Sequence, residues 1–219
     1  MAQPIRIDFI SDIACPWCVV GLRGLVKALD ELGGEVEAQL RIWPFELNPD
    51  MAPDGENTAE HVARKYGSTR ERSDAVRQVI KESGAALGFT FNYGPESRIW
   101  NTFDAHRLMA WALPQGKQLA LKQSLFKSTF TEQRPSNDVE ALVDAARDAG
   151  LDAEAAREVL TSGAFADEVR AEEEQWRANG INAVPSVIFN QRWLIQGAQP
   201  PEVYAQAIRD IVSGKAREA

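Results

Sequence analysis

Cys15-Pro16-Trp17-Cys18 follows directly on the alternating run Ile5-Arg6-Ile7-Asp8-Phe9-Ile10 and leads directly into a helical pattern. These are the only two cysteines of the chain. At i and i+3 of a first helical turn the two sulfurs share one face within bonding range, which suits a pair that opens and closes a disulfide. The unpaired N–H groups and the positive end of the helix macrodipole at such a start favour a thiolate on the first cysteine. Cys15 is therefore expected to be the nucleophile and Cys18 the resolving thiol. Two inert core cysteines would suit the tendency of free cysteine to be buried, but Pro16 and Trp17 fit the first turn of an exposed helix start better. A zinc half-site needs two further ligands. With His61 and His106 both in helical patterns far from the pair, no metal is expected.

Outward from the pair, residues 4–10 have the period of two of a strand, and Val19, Leu22, Leu25, Val26, Leu29 and Leu32 have helical spacing. Pro16 is tolerated in the first turn and Gly33-Gly34 is the stop. Val36, Ala38, Leu40 and Ile42 alternate again, so the first fifty residues predict one βαβ unit whose crossover helix starts at the cysteines. Asn48-Pro49-Asp50-Met51-Ala52-Pro53-Asp54-Gly55 then breaks the pattern. Helices are expected at about 57–66, 69–87, 101–113, 116–131, 138–149 and 153–162, with Asn101 as an N-cap and Asn137 with Glu140 as a capping box. The stretch 89–93 reads as extended. A helix from Phe165 to Asn179 turns Val169 and Trp176 inward and shows a solvated acidic face of Glu168, Glu172, Glu173 and Glu174. A β-branched run opened by Val184-Pro185, a hairpin tip at Asn190-Gln191, a returning strand and an amphipathic helix ending near Gly214 complete the chain.

The 219 residues, 44% of them apolar, suffice for a sizeable core, and the net charge of −8 with no basic stripe argues against nucleic-acid partners. No apolar stretch approaches a membrane span, so no membrane partner is expected. The immediate entry into a strand leads us to expect a cytoplasmic protein, where an isolated Cys-x-x-Cys is catalytic or redox-sensing rather than a staple. With residues 54–164 set aside, the order is β-α-β and then α-β-β-α, the thioredoxin arrangement. The expected fold class is thus α/β, a thioredoxin fold carried by 1–53 and 165–219, with an all-helical insertion of 54–164 after the second strand.

Together with the Cys-Pro-Trp-Cys and Val184-Pro185-Ser186-Val187 segments, several stretches resemble the FrnE-like cytoplasmic branch of the DsbA-like thioredoxin superfamily. They are Phe45-Glu46-Leu47-Asn48-Pro49, Lys65-Tyr66-Gly67, Asn101-Thr102, Ala105-His106-Arg107-Leu108 and Gly197-Ala198-Gln199, and the resemblance covers nearly the whole chain. It implies a cis peptide at Pro185 facing the cysteines, a linkage whose cis form costs only about 0.5–1 kcal/mol. It also implies a Val184 backbone free to pair with an extended substrate; the plainer alternative is an edge-strand proline. Pro16, Trp17, Val184 and Pro185 are thereby expected to bind substrate.

The implied activity is thiol–disulfide exchange on protein or small-molecule disulfides, with no bound cofactor and glutathione as redox partner or co-substrate. The related 2-hydroxychromene-2-carboxylate isomerases and kappa-class glutathione transferases offer an alternative, glutathione-dependent conversion of a small aromatic substrate. Those relatives typically carry serine at the first motif position, whereas both cysteines are present here. In the alternative, Trp43, Phe45, Trp100, Phe103 and Trp111 would line a cleft between the lobes and His106 would contact the ligand, although large aromatics more often fill cores. A third reading is a non-catalytic redox sensor or chaperone-like binding protein. Some FrnE-like proteins carry a further cysteine pair near the C-terminus; this chain has none, which excludes a relay through a second pair. Redox direction, substrate and oligomeric state, a homodimer included, are not legible at this level.

Overall fold

β1 (Gln3–Ser11) is buried on both faces over its second half, and that makes it the strand on which the other elements are hung. Ile5, Ile7 and Phe9 point to one side and Asp8 and Ile10 to the other, as strand alternation requires. The computed structural model describes residues 2–216; Met1 and residues 217–219, the outer ends of the expected thioredoxin-like parts, lie outside the described residues. α1 (Pro16–Leu32) follows, and Gly33 at its C-cap has a φ of +47° that releases the chain into β2 (Val36–Pro44). β1 and β2 are parallel, from Gln3 opposite Val36 to Ser11 opposite Pro44, as a βαβ unit demands.

The inserted segment holds the expected helices with several adjustments. A two-residue ladder of β3 (Glu56–Asn57) and β4 (Arg98–Ile99), which the sequence pattern did not suggest, clamps its entrance. α2 (Thr58–Tyr66) is capped by Asn57, whose Oδ1 accepts from the N–H groups of Ala59 at 2.9 Å and Glu60 at 3.3 Å. α3 (Arg70–Ala86) leads to residues 89–93, which form no ladder; Phe91 and Tyr93 instead pack with Phe130, because a cluster of rings buries this segment better than an unpaired strand would. α4 (Phe103–Ala112) has Thr102 at its cap position, while Asn101 accepts the Phe103 N–H at 2.9 Å from one residue further out. α5 (Gln118–Phe126) closes in a π-helical turn, Lys127–Thr131. α6 (Val139–Asp148) is capped by Asp138, not by an Asn137–Glu140 box. Asp138 Oδ1 takes the Ala141 N–H at 2.8 Å, and Glu140 is drawn away into a two-point pair with Arg157 of α7 (Ala153–Ser162).

α8 (Ala166–Ala178) returns to the sheet and covers the Ile10 side, with Trp176 edge-on to Trp43 at 5.2 Å between ring centroids. Its acidic face is not wholly solvated as expected. Glu173 is 3% exposed and shares Arg170 with the buried Glu46, and Glu172 bonds Arg41 at 2.5 Å. Glu168 and Glu174 stay exposed as expected, while Glu172 and Glu173 lie toward β2 and the segment after it and meet arginines and a carboxylate. β5 (Ser186–Phe189) pairs antiparallel with β1, and β6 (Trp193–Gln196) antiparallel with β5, giving the order β2-β1-β5-β6. Asn190 and Gln191, with φ of +49° and +57°, form the two-residue tip. α9 (Pro201–Val212) then packs beside α1 on the Ile5–Phe9 face, where Gly24 lets the chains approach: a Cβ there would sit 2.7 Å from the Gln199 carbonyl oxygen. The fold is the expected thioredoxin arrangement, and one continuous core joins the α1–α9 layer to α3–α7.

The turn between β1 and α1 is held by one buried carboxylate. Asp12, 1% exposed, accepts from the N–H of Ala14 at 3.2 Å, the N–H of Leu47 at 2.7 Å and the Thr102 hydroxyl at 2.7 Å. His106 Nε2 stands 3.4 Å away, at the long end of hydrogen-bond range. Burial pushes the Asp12 carboxyl upward, but His106, the Leu47 N–H and Thr102 outweigh it and hold the group below its ordinary 3.8.

Two outcomes follow for stability. Gly24→Ala forces α1 from the Gln199 carbonyl and should cost about 1–3 kcal/mol, read as a melting temperature lowered by about 2–4 °C per kcal/mol. An unchanged melting temperature would contradict the close approach. Asp12→Asn should cost about 1–3 kcal/mol near neutral pH, since it turns an amide toward three donors. The Asp12 carboxyl is depressed on folding, so the stability it adds is present above the unfolded value and is lost as pH falls through the folded one. The gap between wild type and variant in denaturant titrations should therefore close below about pH 4; a gap constant down to pH 2 would rule the ionised hub out.

Candidate active site

Cys15 occupies the N-cap position of α1, with φ −95° and ψ 110°, where an oxygen-bearing side chain is usual. Its sulfur does the capping: Sγ accepts the Cys18 N–H at 3.3 Å, and the Cys18 N–H also reaches the Cys15 carbonyl at 3.1 Å. Pro16 at the first helical position has no N–H to lose, so the turn forms without a wasted donor. Both thiols are free. Cys15 is 4% exposed and Cys18 not at all. Burial, then the hydrogen bond and charge of Cys15, push the Cys18 thiol well above its ordinary value, with Lys122 and the Asp12 backbone acting in the opposite sense.

Across from α1 the Val184–Pro185 peptide is cis, and the Val184 carbonyl accepts from the Cys15 thiol at 3.6 Å. Pro185 is buried against α1, where only a glycine fits: a Cβ on Gly21 would lie 2.9 Å from Pro185 Cγ. The Pro185 carbonyl is taken by the Gly197 N–H at 2.8 Å. Of the residues expected to bind substrate, Pro16, Trp17 and Val184 share a cleft with Cys15, while Pro185 is buried against Gly21 and does not line that cleft.

That cleft has a volume of about 590 Å³. One wall is Cys15, Pro16, Trp17, Leu47 and Val184; the other comes from the inserted segment, with His61 and Tyr66 of α2, Arg77 of α3, and Tyr93 and Trp100 from the stretch between α3 and α4. Cys15 therefore opens toward the insertion rather than onto a bare surface. His61, expected far from the cysteines, lines the same cleft because α2 folds back over the start of α1. Its Nδ1 lies 2.8 Å from Glu56, which Arg64 and His61 together pull down to about 2. Tyr93 is half-buried, and desolvation pushes its hydroxyl upward.

Of the five aromatics expected to line an interlobe cleft, Trp100 alone does so among the described residues. Trp43 and Phe45 belong to the core under α8, Trp111 packs on the main core, and Phe103 lies beneath the Arg170 guanidinium at 3.8 Å. Large apolar rings gain more from interior packing than from a wet cleft. His106 is 2% exposed and serves Asp12, a structural histidine rather than a ligand contact. Two residues escaped notice in the sequence. They are Asp12, in the turn before the cysteines, and Lys122, whose place four residues before Phe126 and three before Leu125 puts it on an apolar stripe. Among the described residues no group of three or more His, Cys, Asp or Glu side chains is arranged to hold a metal, and no helix is long and apolar enough to cross a membrane.

Comparison with known proteins agrees with this architecture. A family model described as the DSBA-like thioredoxin domain matches residues 6–209. The crystal structure of the probable DsbA oxidoreductase SCO1869 from Streptomyces coelicolor is 34% identical, covers 98% of this chain and 92% of its own, and superposes with a TM-score of 0.88. Two more distant structures share the fold. A 2-hydroxychromene-2-carboxylate isomerase is 13% identical over 95% of this chain and 97% of its own, with a TM-score of 0.70. The cytosolic disulfide reductase DsbM from Pseudomonas aeruginosa, solved with GSH, is 14% identical over 95% of this chain and 99% of its own, with a TM-score of 0.64. No curated protein matches the chain. With a family model spanning nearly its whole length and a one-third identical relative covering almost all of it, the chain belongs to the DsbA-like thioredoxin oxidoreductase family.

Proposed function

We propose that the protein is a thiol–disulfide oxidoreductase in which Cys15 is the nucleophile and Cys18 the resolving thiol. The observation that carries this reading is the sulfur cap: Cys15 Sγ sits at the open end of α1, receives a backbone N–H at 3.3 Å and is the sulfur of the two that borders the cleft. A negative charge on that atom would be met by the N–H groups and dipole of the helix start. The order of events follows from access. A Cys15 thiolate attacks a substrate disulfide, one substrate sulfur leaves as thiolate, and the buried Cys18 then attacks Cys15 Sγ to release the other and close the Cys15–Cys18 bridge. In the opposite direction a substrate thiolate attacks the bridge at Cys15. Pro16, Trp17 and Val184 contact the substrate beside the sulfur, and the Val184 carbonyl, now engaged by the Cys15 thiol, is a main-chain acceptor for an arriving strand.

The cleft favours a second partner. Its volume falls within the range of about 300–1,000 Å³ typical of small-molecule sites, and Arg77 lies in its wall. A small thiol such as glutathione, the molecule present in the DsbM structure, would fit as redox partner or co-substrate. The same space keeps a glutathione-dependent isomerase or transferase as the second reading.

The two are separated by paired assays on single-cysteine variants. Cys15→Ser should lower reduction of a disulfide-bonded protein or of glutathione disulfide by at least ~100-fold. Cys18→Ser should accumulate a mixed disulfide on Cys15, visible as a mass adduct removed by dithiothreitol. Full exchange activity in both variants would end the oxidoreductase reading. Glutathione conjugation or isomerisation of a small aromatic that survives Cys18→Ser would favour the second.

A further inference from the structure

The chain carries 32 acidic residues against 24 basic ones, yet among the described residues no acidic side chain lines the cleft in front of Cys15. Three arginines do: Arg72 and Arg77 of α3, and Arg98 of β4. Arg98 is held by the carbonyls of Asp54 and Gly55, at 2.9 and 3.0 Å from its Nη2, which fix the guanidinium without cancelling its charge. Arg77 gives one N–H to the exposed Asp74 at 3.1 Å, outside the cleft. Among the described residues the Arg72 side chain has no ion-pair or hydrogen-bond partner. The rest of the lining is largely apolar, and Val62, Val76, Ile80 and Ile99 join the rings already named. Tyr66 and Val76 are left 61% and 43% exposed, so apolar surface stays open there for a ligand to cover. An acidic protein that gathers arginines and no carboxylate around its reactive sulfur, on an apolar lining, is complementary to an anion with an apolar body.

We propose that the cleft selects a small disulfide whose halves each carry an apolar body and a carboxylate. The arginines of the inserted segment meet the carboxylate while Cys15 meets the sulfur. This rests on the reading of Cys15 and Cys18 given above and narrows it to a substrate class. Cys15 Sγ bonds one substrate sulfur, the substrate S–S bond breaks, and its electron pair departs on the other half as a thiolate. Cys18 then bonds Cys15 Sγ and releases the half held in the cleft. Over both steps two electrons and two protons pass from the cysteine pair to the substrate, which leaves as two thiol acids. A planar guanidinium suits a carboxylate through charge-assisted hydrogen bonds that a neutral group cannot match. Glutathione disulfide fits this lining less well, because each half brings an ammonium on a polar peptide and no acidic side chain is there to receive it. With walls on both sides of Cys15, a space of about 590 Å³ takes a small molecule more readily than a loop of a folded protein.

The test oxidises the reduced full-length protein near neutral pH with three reagents: 5,5′-dithiobis(2-nitrobenzoate), an aromatic dianion; 4,4′-dithiodipyridine, a neutral aromatic; and glutathione disulfide. Loss of protein thiols in rapidly quenched samples gives each second-order rate constant, which is divided by that of the same disulfide with 2-mercaptoethanol to remove intrinsic reactivity. The dianion should then exceed both the neutral reagent and glutathione disulfide by at least ~10-fold. The double variant Arg72→Gln with Arg77→Gln alters only exposed or half-buried side chains and should fold. In it the dianion-to-neutral ratio should fall at least ~5-fold. Equal normalised constants, a ratio unmoved in the folded double variant, or a glutathione disulfide faster than the dianion overturns the proposal. A disulfide-bonded protein that outruns the dianion on the same scale overturns it too. Failure of every reagent to consume protein thiols would strike the assignment of Cys15 itself, and the proposal with it.

Discussion

A helix start at which the side chain of Cys15 meets the Cys18 N–H is the constraint on which the rest of this molecule depends. β1 must end, turn and become α1 within four residues, so that Cys15 lands at the cap and Cys18 one turn inside. That turn is short of backbone partners. Asp12 supplies them, accepting from Ala14 within the turn, from Leu47 beyond β2 and from Thr102 at the head of α4. One carboxylate thus ties the cysteine loop to both lobes, and its charge is bearable in the interior only because donors and His106 surround it.

Buried charge recurs where the inserted helices meet the sheet. Arg170 bridges the carboxylates of Glu46 and Glu173, each pushed upward chiefly by burial. Arg107 spends its guanidinium on the carbonyls of Val159, Leu160 and Ala164, closing the C-terminal end of α7 against α4. Lys122 completes the set from α5. A purely apolar seam would have been easier to stabilise. Of these charges, Lys122 is the one that acts on Cys18.

The cleft has the same origin. A thioredoxin core alone would leave the start of α1 facing solvent; here α2 and α3 lean over it and close a pocket around Cys15. Gly21 and Gly24 in α1 let Pro185 and the Gln199 strand end approach from the other side, so the cysteines are held between two walls built by distant parts of the chain.

Local chemistry accounts for what could be read without coordinates. The period of two in Ile5–Ile10, the helical spacing from Val19 to Leu32, the glycine stop and the Cys-x-x-Cys interval depend on neighbours within a few residues, and so they specify β1, α1, β2 and the sulfur geometry of the pair. The hairpin tip at Asn190-Gln191 is legible for the same reason, through residues that tolerate positive φ. Side chains whose partners are remote behaved otherwise. Glu173 looked like solvent-facing charge and is buried, Glu140 looked like a cap and pairs with Arg157, and Trp43 and Phe45 looked available for a cleft and fill a core. Asp12 finds Thr102 ninety residues on, and His61 joins Cys15 only when α2 folds over α1. Such pairings are set by how layers stack, and no periodicity in the chain carries that information.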